Sequence, residues 1–302
     1  MSDAEMNEGH DLAQRWAEKQ DQLWNGEMGN TWVAARSFID GMLKPFEDLI
    51  VTGAIALKPE RILDVGCGNG TTTFAMADAL PGARVTGIDL SVAMTEAARS
   101  RASEQALDIE FIADDAAAHA FGGERFDFIV SRFGSMFFAD PVSAFSNFRT
   151  AATDDARLQL IVWRAPDNNP FMTTGQWAAA SLLPDPVPRD PRAPGPFAFA
   201  DTDFVHGILE DSGWGEVQIE PLDLTCSFAS SDLDLFVRKL APIGADLSEL
   251  DPTAVEEIYR TMTDAFREYE HGDGTIKFSA ATYSVTATAA PWINENQKRG
   301  TL

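Results

Sequence analysis

"ILDVGCGNGTTT", Ile62 to Thr73, places Gly66, Gly68 and Gly70 at alternating positions behind an apolar run that ends in Asp64. Glycine inside a regular element is costly, so such a cluster marks backbone that turns sharply or approaches a ligand closely. Arg61 to Val65 reads as a buried strand, and Thr71 to Leu80 carries the small and apolar residues of a packed helix. Strand, glycine turn and helix together predict the front end of a nucleotide-type site.

Strands and helices alternate outward from this stretch. "RILDV", "ARVTGIDL", "DIEFIAD", "FDFIVSR" and "RLQLIVW" read as strands, with helices at Thr71–Leu80, Ser91–Ala102 and Pro141–Ala151. Further strands are expected around Glu216–Leu224 and in "TIKFSAATYSVTATA", with helices near Asp201–Ser212, Asp232–Leu240 and Thr253–Glu270. This rhythm predicts an α/β fold: a Rossmann-like, mostly parallel seven-stranded sheet with helices on both faces.

The chain divides by composition. Residues 1–57 form an N-terminal helical cap, its pattern broken at "WNGEMGNTW" by two glycines and an asparagine. Residues 58–164 are the nucleotide-type core. Residues 165–200 hold eight of the sixteen prolines and read as an insertion after strand five with little regular structure. Helices and closing strands of the same domain follow over 201–290, with a tail at 291–302.

Composition narrows the function. The formal charge is −24 and no Lys/Arg cluster of useful size is present, so a nucleic-acid partner is not expected. No apolar run reaches the length of a membrane span, and the acidic N-terminus is unlike a secretory leader. Cys67 and Cys226 offer neither a disulfide framework nor metal-ligand spacing. The expectation is a cytoplasmic protein without membrane insertion, holding no metal.

The glycine stretch lacks the dinucleotide fingerprint G-x-G-x-x-G, because the sixth position is Thr71 or Thr73, and no Gly-Lys-Ser/Thr follows for a P-loop. An acidic residue at the strand's end suits a ligand carrying an ammonium group and repels a pyrophosphate. Asp64-x-Gly66-x-Gly68-x-Gly70 resembles the first motif of class I S-adenosylmethionine methyltransferases. The resemblance implies Asp64 beside the methionine part of that cofactor, and the glycine turn against its methionine and ribose.

Asp89 ends the second strand, where a carboxylate accepts hydrogen bonds from a ribose diol. Leu90 follows it, and Met94 is a candidate to lie under the adenine. The third strand ends in "FIADDAAAH", similar to the family's Gly-Asp-Ala-like stretch. There Asp114, Asp115 and Ala116 are candidates to meet the adenine, with the choice between the two aspartates open. "FDFIVSRFGSMFFADP" puts Ser131 and Arg132 at the tip of the fourth strand and resembles small-molecule enzymes related to the ubiquinone and menaquinone C-methyltransferases. "TDDAR" stands where that family has a Pro-Gly-Gly turn.

His119 and Arg132 are the candidates for a catalytic group. Trp24, Trp32, Phe133, Met136 and Phe171 are expected to wall an acceptor pocket, with Trp177, Phe197 and Phe199 on the side of the proline-rich insertion. "DNNPF", Asp167 to Phe171, reads as a turn. The resemblance implies methyl transfer from S-adenosylmethionine, leaving S-adenosylhomocysteine, to a small and largely apolar acceptor. An NAD-dependent oxidoreductase would share the fold and Asp89, and a non-catalytic S-adenosylmethionine-binding protein would share every motif.

Overall fold

The computed structural model describes residues 3–184, 190–243 and 247–289. Three helices come first: α1 (Asp3–Trp24), α2 (Glu27–Ala34) and α3 (Arg36–Leu57). Strands and helices then alternate as β1 (Arg61–Val65), α4 (Thr71–Ala79), β2 (Arg84–Asp89), α5 (Val92–Glu104), β3 (Glu110–Ala113), β4 (Phe126–Arg132), α6 (Pro141–Ala151) and β5 (Ala152–Trp163). The remainder is α7 (Pro170–Ala178), α8 (Thr202–Asp211), β6 (Trp214–Ala229), α9 (Leu233–Leu235), α10 (Pro252–Phe266) and β7 (Thr275–Ala289).

The seven strands form one sheet in the order β3-β2-β1-β4-β5-β7-β6. The first five are parallel, and β7 runs antiparallel between β5 and β6. Strand order reverses between β1 and β4, whose register pairs Asp64 with Val130. Successive crossovers diverge to opposite faces there, which opens a crevice at the carboxyl ends of the strands. β1 is buried from Ile62 to Val65, as a central parallel strand covered on both faces requires.

Local chemistry sets several helix starts. Asp140 caps α6 by accepting from Ser143 N, with Pro141 as the first helical residue. Asp251 and Pro252 repeat the device at α10, and Asp201 caps α8 through the amides of Asp203 and Phe204. A side-chain oxygen there satisfies an otherwise unpaired amide, and proline supplies a pre-set φ.

The β6–β7 ribbon reaches past the rest of the sheet. Trp163, the last residue of β5, pairs with Thr282, whereas β7 stays paired to β6 back to Thr275. Thr275–Ala281 and their β6 partners therefore overhang the carboxyl edge. Phe228 and Phe278 on this overhang pack with Phe236, Phe266 and Tyr269.

Two local expectations are corrected. The segment 165–200 holds more regular structure than expected: Pro166–Asn168 form a 3₁₀ turn and α7 follows, with Pro170 at its permissive first position. "DNNPF" is thus a helix start, and its buried Asn169 exchanges hydrogen bonds with the backbone of Ala281 on β7. Residues 185–189 of the insertion, like the tail from 290, lie outside the described residues. Of the two glycines in "WNGEMGNTW", Gly29 does not break the helix but lies inside α2. A Cβ there would meet Trp24 O at 2.1 Å and Ser91 Oγ at 2.7 Å, so Gly29 allows close packing against the start of α5.

Candidate active site

At the end of β1 the chain turns through Gly66, Gly68 and Gly70, with φ of 68°, 54° and 78°. All three are in the left-handed region that side chains disfavour, which is why the stretch alternates glycine. Gly66 N and Cys67 N both donate to Ile88 O at the end of β2. Asp89 completes the tie: its Oδ2 accepts from Gly68 N at 2.7 Å and its Oδ1 from Ser91 N at 2.8 Å. Burial pushes the Asp89 carboxyl above its usual range, and the two amides oppose the shift. An ionised carboxylate has about four acceptor positions, so each oxygen keeps capacity for a further donor.

Asp64 is fully buried, and its Oδ2 accepts from Thr73 Oγ1 at 2.6 Å. Loss of water pushes its carboxyl up to about 6, while the Thr73 hydroxyl and the Arg132 charge pull the other way. Arg132, at the tip of β4, donates from Nε to Thr72 Oγ1 at 2.9 Å. The charges of Asp64, Glu47 and Asp40 favour its guanidinium without an ion pair to it among the described residues, and burial lowers its pKa.

Phe133 follows with φ of 65°, a strained conformation for a bulky side chain. Its ring stacks on Trp163 at 4.0 Å with an interplanar angle of 3°, and Phe46 meets both edge-on. Gly134 then passes directly over Gly66.

These elements enclose a cavity of about 1240 Å³. A pocket for one drug-sized ligand has about 300–1,000 Å³, so two small molecules fit side by side. Gly66, Gly68, Asp89, Leu90 and Met94 line it at the strand tips, together with Asp115 and Ala116. Phe133, Trp163, Phe171, Met172 and Phe236 line it toward the overhang. α1 covers it through Ala13, Ala17 and Trp24, and Trp24 packs edge-on against Trp32 and Phe137. The α1–α2 corner is fastened beside Asp89: Asn25 Nδ2 donates to Leu90 O, Val92 N donates to Asn25 Oδ1, and Ser91 Oγ donates to Trp24 O.

Other sequence candidates stand off the cavity wall. Asp64 lies behind the turn, and Gly70 backs onto Phe111 and Phe74. Ser131 Oγ donates to Val65 O and accepts from Ser135 N, which ties the β4 tip to β1. Met136 is buried, its Sδ accepting from Trp163 N. Asp114 is exposed and its Oδ2 holds His119 Nδ1 at 2.7 Å, which lowers the aspartate's pKa. Of the two adjacent aspartates, Asp115 is the one that faces the cavity.

The insertion's aromatics do not gather as expected. Trp177 is 54% exposed, and Phe199 packs on Phe145 and Phe204, away from the cavity. Phe197 is half-buried and likewise off the wall, where Pro196 lines it instead. Among the cavity residues that escaped the sequence are Asn69, Asp40, Met172 and Phe236. Asn69 lay in plain view between two glycines. The other three carry no local signal, since helix packing and the overhang bring them in.

Residues 62–154 match the family described as methyltransferase domain. Demethylmenaquinone methyltransferase of Renibacterium salmoninarum is 27% identical over 191 residues, covering 61% of this chain and 78% of that protein. Ubiquinone biosynthesis O-methyltransferase of Coxiella burnetii is 34% identical over 88 residues, 29% of this chain. The chain spans only 37% of that relative's length. Among solved structures, the YcgJ protein of Bacillus subtilis aligns with a TM-score of 0.54 over 81% of this chain and 98% of its own, at 18% identity, a likeness of fold. Fold, glycine turn and matched domain define a class I methyltransferase. The matched domain and the methyltransferases it resembles support an S-adenosylmethionine-dependent methyltransferase. No helix among the described residues is long and apolar enough to cross a membrane.

Proposed function

We propose that the chain binds S-adenosylmethionine at the tips of β1–β3 and methylates a small, largely apolar acceptor held against Phe133, Trp163 and Phe171. The observation that carries this is the single cavity joining the glycine turn to an aromatic wall. The residues fit the cofactor: Asp89 has acceptor capacity for a ribose diol, Met94 and Ala116 offer an apolar slot for a base, and Asp115 stands beside it.

When bound, the cofactor supplies a methyl group already activated on a sulfonium. The protein's share is positioning, which contributes up to about 7–11 kcal/mol in well-oriented reactions. Phe133 and Trp163, backed by the fully buried Phe46, form a rigid apolar surface that holds a flat acceptor and excludes water. A base is optional for an acidic acceptor. His119, held by Asp114 off the cavity wall, is a poor candidate for one. Arg132 is better read as a binding group. The quinone acceptors in the relatives' names suit the flat wall, and an acceptor with an aromatic ring is the class we favour.

Incubating the protein with methyl-labelled S-adenosylmethionine and fractionated metabolites, then searching by mass for products heavier by one labelled methylene, tests the reading. A labelled apolar product is expected. Cofactor binding with no labelled product from any fraction would favour a non-catalytic binding protein.

A further inference from the structure

Followed along the sheet, the cavity has three stations. The glycine turn lies at the tips of β1 and β2, and Phe133 and Trp163 stand at the tips of β4 and β5. Beyond them, over the β6–β7 overhang, a π-helix at Phe236–Leu240 lines the far end. Phe236 docks this helix on Phe228 and Phe278, and Ala241 N donates to Phe236 O across its wide turn. Such turns are rare and recur at functional sites.

The π-helix brings charge to an otherwise apolar end. Arg238 and Lys239 both line the cavity there. Arg238 is held in place: Nε donates to Asp234 at 2.7 Å, and Nη1 and Nη2 donate to Glu256 at 2.7 and 2.9 Å. Lys239, the next residue, is exposed and has no acidic partner among the described residues. That is notable in a chain where 47 carboxylates face 23 Lys and Arg residues. The carboxylates lining the cavity belong to its other walls: Glu18 and Asp21 on α1, Asp40 on α3, Asp89 and Asp115 after β2 and β3, and Asp140 before α6. Like charges there repel an anion, which leaves the π-helix as the place where one is welcome.

We propose that the acceptor is an acidic amphiphile, its apolar body on Phe133, Trp163 and Phe236 and its carboxylate or similar anionic group on Lys239. This rests on the reading of the cavity as a methyltransferase site and adds the acceptor's one charged group to it. Arg238, fixed by Glu256 and Asp234, is the support that positions Lys239. Because the sheet order sets Lys239 at the end opposite the glycine turn, the methyl enters the acceptor at the end remote from its anion. The acid group therefore stays free in the product.

Fluorescence titration of the full chain with 1-pyrenebutyrate and 1-pyrenebutanol tests this without any cofactor, since the two share one aromatic body and chain. Wild type is expected to prefer the acid by about fivefold, the upper range for an exposed ion pair, and to lose the preference in about 1 M salt. Lys239→Gln should bind both probes equally, the alcohol within about twofold of wild type, and Lys239→Arg should keep the preference. Lys239 is exposed, so neither substitution threatens the fold. A lysine serving only the helix end would move the melting temperature and leave the ratio of the two probes alone. Binding of neither probe, equal binding by wild type, or a preference that survives Lys239→Gln would overturn the seat. Displacement of the probes by S-adenosylhomocysteine would overturn its remote placement. A chain that does not bind S-adenosylhomocysteine at all would refute the cofactor reading and leave the probe ratio standing.

Discussion

Gly66 and Gly134 lie backbone against backbone. A Cβ on Gly66 would stand 2.7 Å from Gly134 Cα, and one on Gly134 would stand 2.8 Å from Gly66 Cα and 2.9 Å from Val65 O. This contact sets how closely the glycine turn and the segment after β4 approach, and so fixes the cavity's floor. Gly134 has φ of −87° and ψ of −37°, which any residue adopts. Crowding alone therefore forbids a side chain there.

Gly134→Ala should accordingly cost about 1–3 kcal/mol, the usual cost of overpacking, and weaken S-adenosylhomocysteine binding as the turn is pushed aside. Gly207→Ala in α8, where a Cβ meets nothing within 4 Å, is the control. It should stabilise by about 0.5–1 kcal/mol through helix propensity. Thermal melting and calorimetry on both variants check this, and a neutral Gly134→Ala would show that the two segments separate freely.

Asp89 joins binding and stability in one group. Asp89→Ala should weaken S-adenosylhomocysteine by about 2–4 kcal/mol, on the order of 30- to 700-fold. From position alone, at a strand tip, little change in the unliganded melting temperature would be expected. The amides of Gly68 and Ser91 alter that expectation, because removing the carboxylate strands both. The unliganded variant should melt clearly below wild type. Asp89→Asn can serve only one amide and should fall between the two.

Asp64 makes stability depend on pH. Its carboxyl is raised from 3.8 to about 6 by burial. A carboxyl with a raised folded pKa contributes stability that is full below the unfolded value and is lost as pH rises through the folded one, here between about 4 and about 6. Two pKa units correspond to about 3 kcal/mol. Asp64→Asn keeps an acceptor for Thr73 without the charge. It should melt above wild type at pH 7.5, by the equivalent of about 1–3 kcal/mol, and converge with it near pH 4. A lower melting temperature at pH 7.5 would mean that attraction to Arg132 outweighs desolvation.

Ligand choice separates the methyltransferase from a dinucleotide enzyme on the same fold. S-Adenosylhomocysteine at a hundred times its Kd should stabilise the chain by about 2.7 kcal/mol in a thermal-shift assay. NAD should produce no shift, since the turn lacks the third glycine of the dinucleotide fingerprint. A shift with NAD alone would reverse the assignment.

Much of this architecture is written locally. β1 at Arg61–Val65, β4 at Phe126–Arg132, α6 at Pro141–Ala151 and β7 at Thr275–Ala289 coincide with the apolar runs, Asp-Pro caps and glycines that mark them in the sequence. These signals depend on neighbours a few residues away, so they survive without tertiary context. α7 escaped because proline density masked it. Pro166 precedes it, Pro170 opens it and Pro184 follows, leaving Phe171–Ala178 free of proline.

The sequence by itself determined a strand, a turn of three glycines and a helix, with Asp89 at the tip of the next strand. Tertiary structure alone decided which side chains share the cavity. An aromatic residue's identity demands burial but names no partner, so Phe171 reached the cavity while Phe199 went under α6 and α8. His119 drew Asp114 away and left Asp115 at the wall. Asn69 and Arg132 line one cavity because β1 and β4 are neighbours in the sheet, although α4, β2, α5 and β3 separate them along the chain. Pairing of distant strands is a property of the whole fold's packing, and no local pattern in either segment encodes it.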